Sequence, residues 1–135
     1  MTVVVDASVA VRWSFHMNGS DRADQLMHSG ETLIAPDFII AEITNAAWKL
    51  VSFDSRPAAP ATASVAAAEK AFDELVPAAG LKDRALEIAL ALKHPAYDCF
   101  YIALAEQRGC RMVTADERLL RRCAATPFAA FVTAL

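Results

Sequence analysis

Two periods alternate along the chain. Val3-Val4-Val5 is apolar and β-branched at every position, which suits a strand covered on both faces, as in a parallel sheet with helices above and below. Thr32 to Ala35, stopped by Pro36, is a second strand candidate, followed by Glu74 to Val76, Arg111 to Thr114, and a last one predicted over Phe128 to Val132. Between these the apolar period lengthens to that of helices. The clearest helix opens at Asp37, where Ile39, Ile43, Ala46, Ala47 and Leu50 recur at three- and four-residue steps. Ser8 is placed to cap a short helix through Phe15, Asn18-Gly19-Ser20 marks a turn, and a second helix is expected over Ser20 to Ser29. Further helices are predicted over Leu81 to Lys93, with Leu86, Ala89, Leu90 and Lys93 at helical spacing, over Tyr97 to Arg108, and over Glu117 to Cys123. Gly30 and Gly109 stand where left-handed backbone ends a helix. Ser55 to Ser64 holds two prolines and is expected to be a bend, with helix resuming to about Asp73. Strands separated by helices predict a single α/β domain over residues 1–135, with a mostly parallel central sheet flanked by helices.

Composition narrows the class. With 135 residues, 56% of them hydrophobic, and only four glycines, the chain can fill one packed core, and a disordered chain is excluded. A net charge of -3 gives no global attraction toward a polyanion, so any nucleic-acid contact must rest on a local basic patch. Cys99, Cys110 and Cys123 lack metal-site spacing and read as small buried hydrophobes in a reducing compartment. No basic, apolar leader precedes Asp6 and no run is long enough to cross a bilayer, so a cytoplasmic protein without a membrane partner is expected.

The candidate chemistry is acidic. Asp6 follows one predicted strand, Asp116 follows another, Asp98 falls in the first turn of a helix, and Glu42 sits one turn into its own. In a doubly wound sheet such groups can meet at the carboxyl ends of the strands although far apart in sequence. Four carboxylates in one cleft would either take up protons or bind a hard cation, with Mg2+ or Mn2+ the natural choice for oxygen ligands and phosphate substrates. Each has an ordinary alternative: Asp116 as a helix cap, Asp98 as a partner of the helix dipole, Glu42 as a surface glutamate. Asp6 is the hardest to dismiss, because an acid after three buried valines is costly without a partner or a task. Glu42, Asn45 and Lys49 lie nearly in line on one helix face, since steps of three and seven residues turn a helix by about -60° and -20° net. That line is equally a solvated face.

With these residues placed, the chain resembles the PIN domain superfamily and, within it, the VapC-type toxin ribonucleases. The matching stretches are Val5-Asp6-Ala7-Ser8-Val9 with Trp13, Pro36 with Glu42-Ile43-Thr44-Asn45, Tyr97-Asp98-Cys99-Phe100-Tyr101-Ile102-Ala103-Leu104-Ala105, and Val113-Thr114-Ala115-Asp116-Glu117-Arg118-Leu119. They run from end to end in the family's order. The resemblance implies an endoribonuclease dependent on Mg2+ or Mn2+, with Asp6, Glu42, Asp98 and Asp116 around the metal. In it Asp6 and Asp98 are the most direct ligands, Glu42 and Asp116 act through water or a second ion, and Ser8, Thr114 and Asn45 support the site. It also implies a homodimer, a small VapB-like antitoxin that blocks the cleft, and RNA substrates that are often transfer or ribosomal species. This chain is less basic than many relatives. Arg118, Arg121 and Arg122, at three- and four-residue spacing beside Asp116, are the leading candidates for holding RNA phosphates, followed by Arg12 and Lys49, and a solvated helix end explains the three arginines equally well.

Other residues carry weaker signals. His16, His28 and His94 have no ligand spacing, and His94 before Pro95 reads as a loop residue rather than a general base. Tyr97 and Tyr101 fit core or dimer contact better than base stacking. No glycine-rich phosphate loop is present, and an aspartate-nucleophile phosphatase would need a second acid where Ser8 stands. A non-catalytic PIN-like interaction module is the serious rival, and it predicts a degraded acidic set.

Overall fold

The computed structural model describes residues 1–135, and strand β1 (Thr2–Val5) runs through the middle of its one sheet. β2 (Thr32–Pro36) and β4 (Arg111–Thr114) flank it in parallel, so that Val4 stands opposite Ile34 on one side and Met112 on the other. β3 (Glu74–Val76) and β5 (Val132–Ala134) close the edges, giving the order β3-β2-β1-β4-β5 with every pairing parallel. The apolar run of β1 follows from this position. Val4 packs with Ile34, Ile102, Leu104 and Met112 on one face, while Val3 and Val5 pack with Val9, Ala23, Leu33 and Val113 on the other.

Seven helices surround the sheet: α1 (Ala7–Ser14), α2 (Ser20–Met27), α3 (Ile39–Phe53), α4 (Ala58–Lys70), α5 (Lys82–Leu92), α6 (Ala96–Arg108) and α7 (Glu117–Cys123). α6 lies against β1, β2 and β4 and buries Cys99 and the whole run from Tyr101 to Ala105. Arg84 of α5 clamps Glu106 of α6 through two guanidinium contacts of 2.7 and 2.9 Å, which fixes how the two helices lie. The chain winds outward from β1 to β2 and β3, then returns to build β4 and β5 on the other side. The reversal falls between β1 and β4, and in open parallel sheets the crevice at the carboxyl ends of such a pair is where ligands bind.

Several elements differ from the sequence reading. Asp6, not Ser8, caps α1, since its Oδ1 accepts from the Val9 amide at 3.2 Å and Ser8 lies inside the first turn. α4 begins within the expected bend. Pro57 precedes it and Pro60 occupies its first turn, where no backbone donor is needed, so the break shrinks to residues 54–57. Pro127–Phe131 forms a tight 3-10 turn capped by Thr126, which pushes the last strand on to Val132–Ala134. On α5 the buried residues are Ala85, Ile88, Ala89 and Leu92, leaving Leu86 and Leu90 exposed. All three cysteines are free, and burial raises each thiol above its ordinary range. No helix is long and apolar enough to cross a membrane.

Candidate active site

Asp6 occupies the join between β1 and α1, at the carboxyl side of the sheet reversal. Its backbone amide still reaches the Val113 carbonyl at 3.4 Å, so β4 holds it in place after β1 has ended. The side chain is fully enclosed. Oδ1 accepts from the Ser8 hydroxyl at 2.5 Å and from the Val9 amide, and Oδ2 accepts from the Thr114 hydroxyl at 2.5 Å. Each hydroxyl gives its single proton to Asp6, so the 3.3 Å approach of the two hydroxyl oxygens holds no further hydrogen bond. Both oxygens also accept backbone protons, Ser8 from Ala115 at 2.9 Å and Thr114 from Asp116 at 3.0 Å. This web stitches α1 to the end of β4.

Glu42 lies half-buried at the start of α3, and its Oε1 accepts from the Tyr101 hydroxyl at 2.6 Å. Asp98 stands in the first turn of α6 with Oδ2 at 2.6 Å from His94 Nε2. These three acids form one electrostatic unit. Burial pushes Asp6 up to about 6 against the pull of Ser8, Thr114 and Val9, and the charge of Asp98 adds to the rise. Burial likewise raises Glu42, the Tyr101 hydroxyl opposes it, and Asp98 raises it again. Asp116 belongs to the same end of the sheet but is otherwise employed. Its Oδ1 caps α7, accepting from Arg118 and Leu119 amides at 2.9 and 3.2 Å, and it is not among the charges acting on Asp6 or Glu42.

No three acidic, histidine or cysteine side chains close tightly enough to form a finished cage for an ion. What the site offers is carboxylate oxygens under repulsion, the charge of Asp98 acting on both Asp6 and Glu42, which is the chemistry of a hard cation. Mg2+ needs only one or two carboxylates because it keeps several waters for the rest of its shell. The oxygen-only donor set could hold a largely hydrated divalent cation and lacks the closed nitrogen and sulfur ligation of a structural zinc centre.

Two grooves flank the acids. One, of about 260 Å3, is lined by Ala7, Ser8, Val11, Glu42, Asn45 and Lys49, so the polar line along α3 borders the site. The other, of about 280 Å3, runs past Thr114 with Arg12 and Arg22 on its wall. Arg12 is committed to structure, donating to the Ser8 carbonyl and, at 2.8 Å, to the Asn18 carbonyl. Gly19 makes room for it: at φ 91° any Cβ would come within 3.1 Å of Arg12 Nε. Arg121 pairs loosely with Glu117 at 3.7 Å, while the Arg118 and Arg122 side chains form no ion pair. An apolar groove of about 450 Å3 between α3 and α4 includes Trp48 and Val65 and none of the four acids.

Sequence reasoning missed three residues here. His94 is indeed in the turn between α5 and α6, but it is buried and bonded to Asp98, and the four-residue step between the two was the available signal. Tyr101 is a core residue as read, yet a buried tyrosine in an apolar helix must find a partner for its hydroxyl, and Glu42 is that partner. Arg22 gave no signal. Tyr97, by contrast, is exposed.

Thr114→Val tests the web directly, because it keeps the shape and removes the hydroxyl that serves both Asp6 and the Asp116 amide. Urea unfolding should show a loss of about 2–3 kcal/mol, the cost of leaving buried polar groups unpaired. An unchanged unfolding midpoint would mean that water replaces the hydroxyl at no cost.

Comparison with known proteins bears on this geometry. The PIN domain family model matches residues 3–125. The chain is 34% identical over 117 residues to a VapC ribonuclease of Mycobacterium bovis and to ribonuclease VapC9 of Mycobacterium tuberculosis, in each case over 87% of both proteins. Among solved structures it superimposes on PAE2754 from Pyrobaculum aerophilum with a TM-score of 0.71 at 23% identity, over 99% of this chain and 89% of that one. It superimposes on VapBC2 from Rickettsia felis, bound to a DNA fragment from their promoter, with a TM-score of 0.68 at 10% identity, over 100% and 99% of the two chains. At such identities the two structures speak for the fold alone.

Proposed function

This chain belongs to the PIN domain family, and from that premise we propose that it is an endoribonuclease, the toxin of a type II toxin-antitoxin pair, cutting RNA phosphodiester bonds with Mg2+ or Mn2+. One observation carries the proposal. Asp6 is a carboxylate buried at the sheet reversal, gripped by two hydroxyls, raised to about 6, and faced by the charge of Asp98. A buried carboxylate is costly unless a cation or a proton neutralises it, and that demand supports a metal-binding role for Asp6. All four acids are present, which favours an enzyme over a degraded interaction module.

In this reading Asp6 and Asp98 are the principal ligands, Glu42 contributes through water or a second ion, and Asp116 acts at the margin while capping α7. Ser8 and Thr114 orient Asp6, and Asn45 lines the groove beside Glu42. A divalent cation bound there supplies charge neutralisation at the phosphodiester and a water of lowered pKa. Arg118, Arg121 and Arg122 extend from the same end of the sheet to meet RNA phosphates, with Lys49, Arg12 and Arg22 along the grooves. The partner is a small VapB-like antitoxin. The exposed Leu86, Leu90 and Tyr97 support pairing of two copies of the chain.

The test is to incubate the purified, antitoxin-free protein with transfer and ribosomal RNA fragments in Mg2+ and to map the new 5′ ends by sequencing. Cuts at a few fixed internal positions are expected. RNA left intact at micromolar protein would overturn the assignment.

A further inference from the structure

His94 is 3% exposed at its side chain, and its Nδ1 is the one buried side-chain nitrogen or oxygen in the chain without a hydrogen-bond partner. The ring's only polar contact is Nε2 to Asp98 Oδ2 at 2.6 Å. With the Asp98 carboxylate facing it, Nε2 is the nitrogen that donates, while Nδ1 finds no partner at all. The backbone prepares this placement. Lys93 adopts left-handed backbone, φ 52° and ψ 49°, to end α5, and Pro95 caps α6 one residue beyond His94. A buried imidazole set down by a strained turn, with one nitrogen unpaired, is an unfavourable filler for a core. What it does is hold Asp98.

Resting on the metal reading above, we propose that His94 is a positioning residue for Asp98: by donating to Oδ2 it leaves Oδ1, which accepts no hydrogen bond from the chain, as the single oxygen offered to a cation. A carboxylate held by one oxygen cannot swing to chelate with both, and it stays ordered before the cation arrives. This matters most here because no three donors are preassembled, so the affinity depends on how well each carboxylate is oriented.

The experiment is Mn2+ titration of the purified, metal-free full chain by calorimetry and by electron paramagnetic resonance, without RNA. H94L removes the donor, whereas H94Q keeps an amide N–H near the place of the imidazole Nε2. H94L is expected to bind Mn2+ about 10–100-fold more weakly, as typical for lost outer contacts, and H94Q to stay within about threefold of wild type. Cleavage by H94L should recover in excess Mn2+. If H94L does not fold, H94N, too short to reach Asp98, takes its place against H94Q. A packing role alone would lower the metal-free melting temperature of these variants without separating their Mn2+ affinities, and that result would overturn the proposal. Wild-type affinity in H94L, or equal weakness in H94Q, would do the same while leaving the metal site standing. No Mn2+ binding by the wild-type chain would overturn both.

Discussion

Asp6→Asn should yield a protein that cuts RNA about a thousandfold more slowly or worse, in line with loss of a group that organises transition-state charge, and that is nevertheless more stable than wild type in EDTA at pH 7.5. The sign follows from the raised carboxyl. Burial lifts Asp6 from 3.8 to about 6, so the folded chain holds its proton more tightly than the unfolded one. The associated stability is fully present below about pH 4 and is lost as pH climbs to about 6 and above, where the folded state must carry a buried charge. Two pKa units correspond to about 3 kcal/mol. Asparagine is neutral throughout and caps a helix as well as aspartate, so the Val9 contact survives. Urea unfolding in EDTA at pH 4, 5, 6 and 7.5 measures the difference between the two proteins, which should be near zero at the acid end and grow in favour of the variant with pH. A variant less stable than wild type at pH 7.5 would show that the carboxylate is under no strain. Retained cleavage would remove Asp6 from the machinery altogether.

Stripping divalent cations is the second large effect. Asp6, Glu42 and Asp98 confront a substrate that brings its own negative phosphates, and no lysine or arginine forms an ion pair with any of the three. In EDTA, cleavage should fall below detection and return on adding Mg2+ or Mn2+. Ca2+, which prefers six to eight oxygen ligands, should restore it poorly. Binding has its own readout: Mn2+ at about a hundred times its dissociation constant should add about 2.7 kcal/mol to unfolding in the absence of RNA. The same addition should do little for Asp6→Asn. Activity that survives EDTA would sink the metal reading whatever the stability data show.

The fold was legible where one residue type answers one demand. Three valines in a row announce a strand buried on both faces, and the alternation of strands with helices leaves few options but a parallel sheet. It was less legible where two physical rules compete. Leu86 and Leu90 outrank Ala85 and Ala89 in hydrophobicity, yet the small residues pack because α5 lies close against α6. Pro60 breaks a helix interior but not a first turn, and the sequence alone does not say which of these it occupies. The acids were visible as strand-end and helix-start residues. Their partners were not, because Tyr101 to Glu42 and Thr114 to Asp6 are contacts across 59 and 108 residues that only the assembled sheet creates. His94 was hidden by a proline that looks like an interruption and in fact stands at the N-cap position of α6, one residue after the buried ring.

The sulfurs under α6 make the molecule its own gauge. Cys99 adjoins Asp98 and is wholly enclosed, as Cys123 nearly is, and both thiols are held far from the ionised form that alkylating reagents attack. Iodoacetamide should therefore mark the partly exposed Cys110 first and reach Cys99 only during excursions in which α6 lifts from the sheet. The lag between those labelling rates times the breathing of the helix that carries Asp98, without any dye or engineered probe.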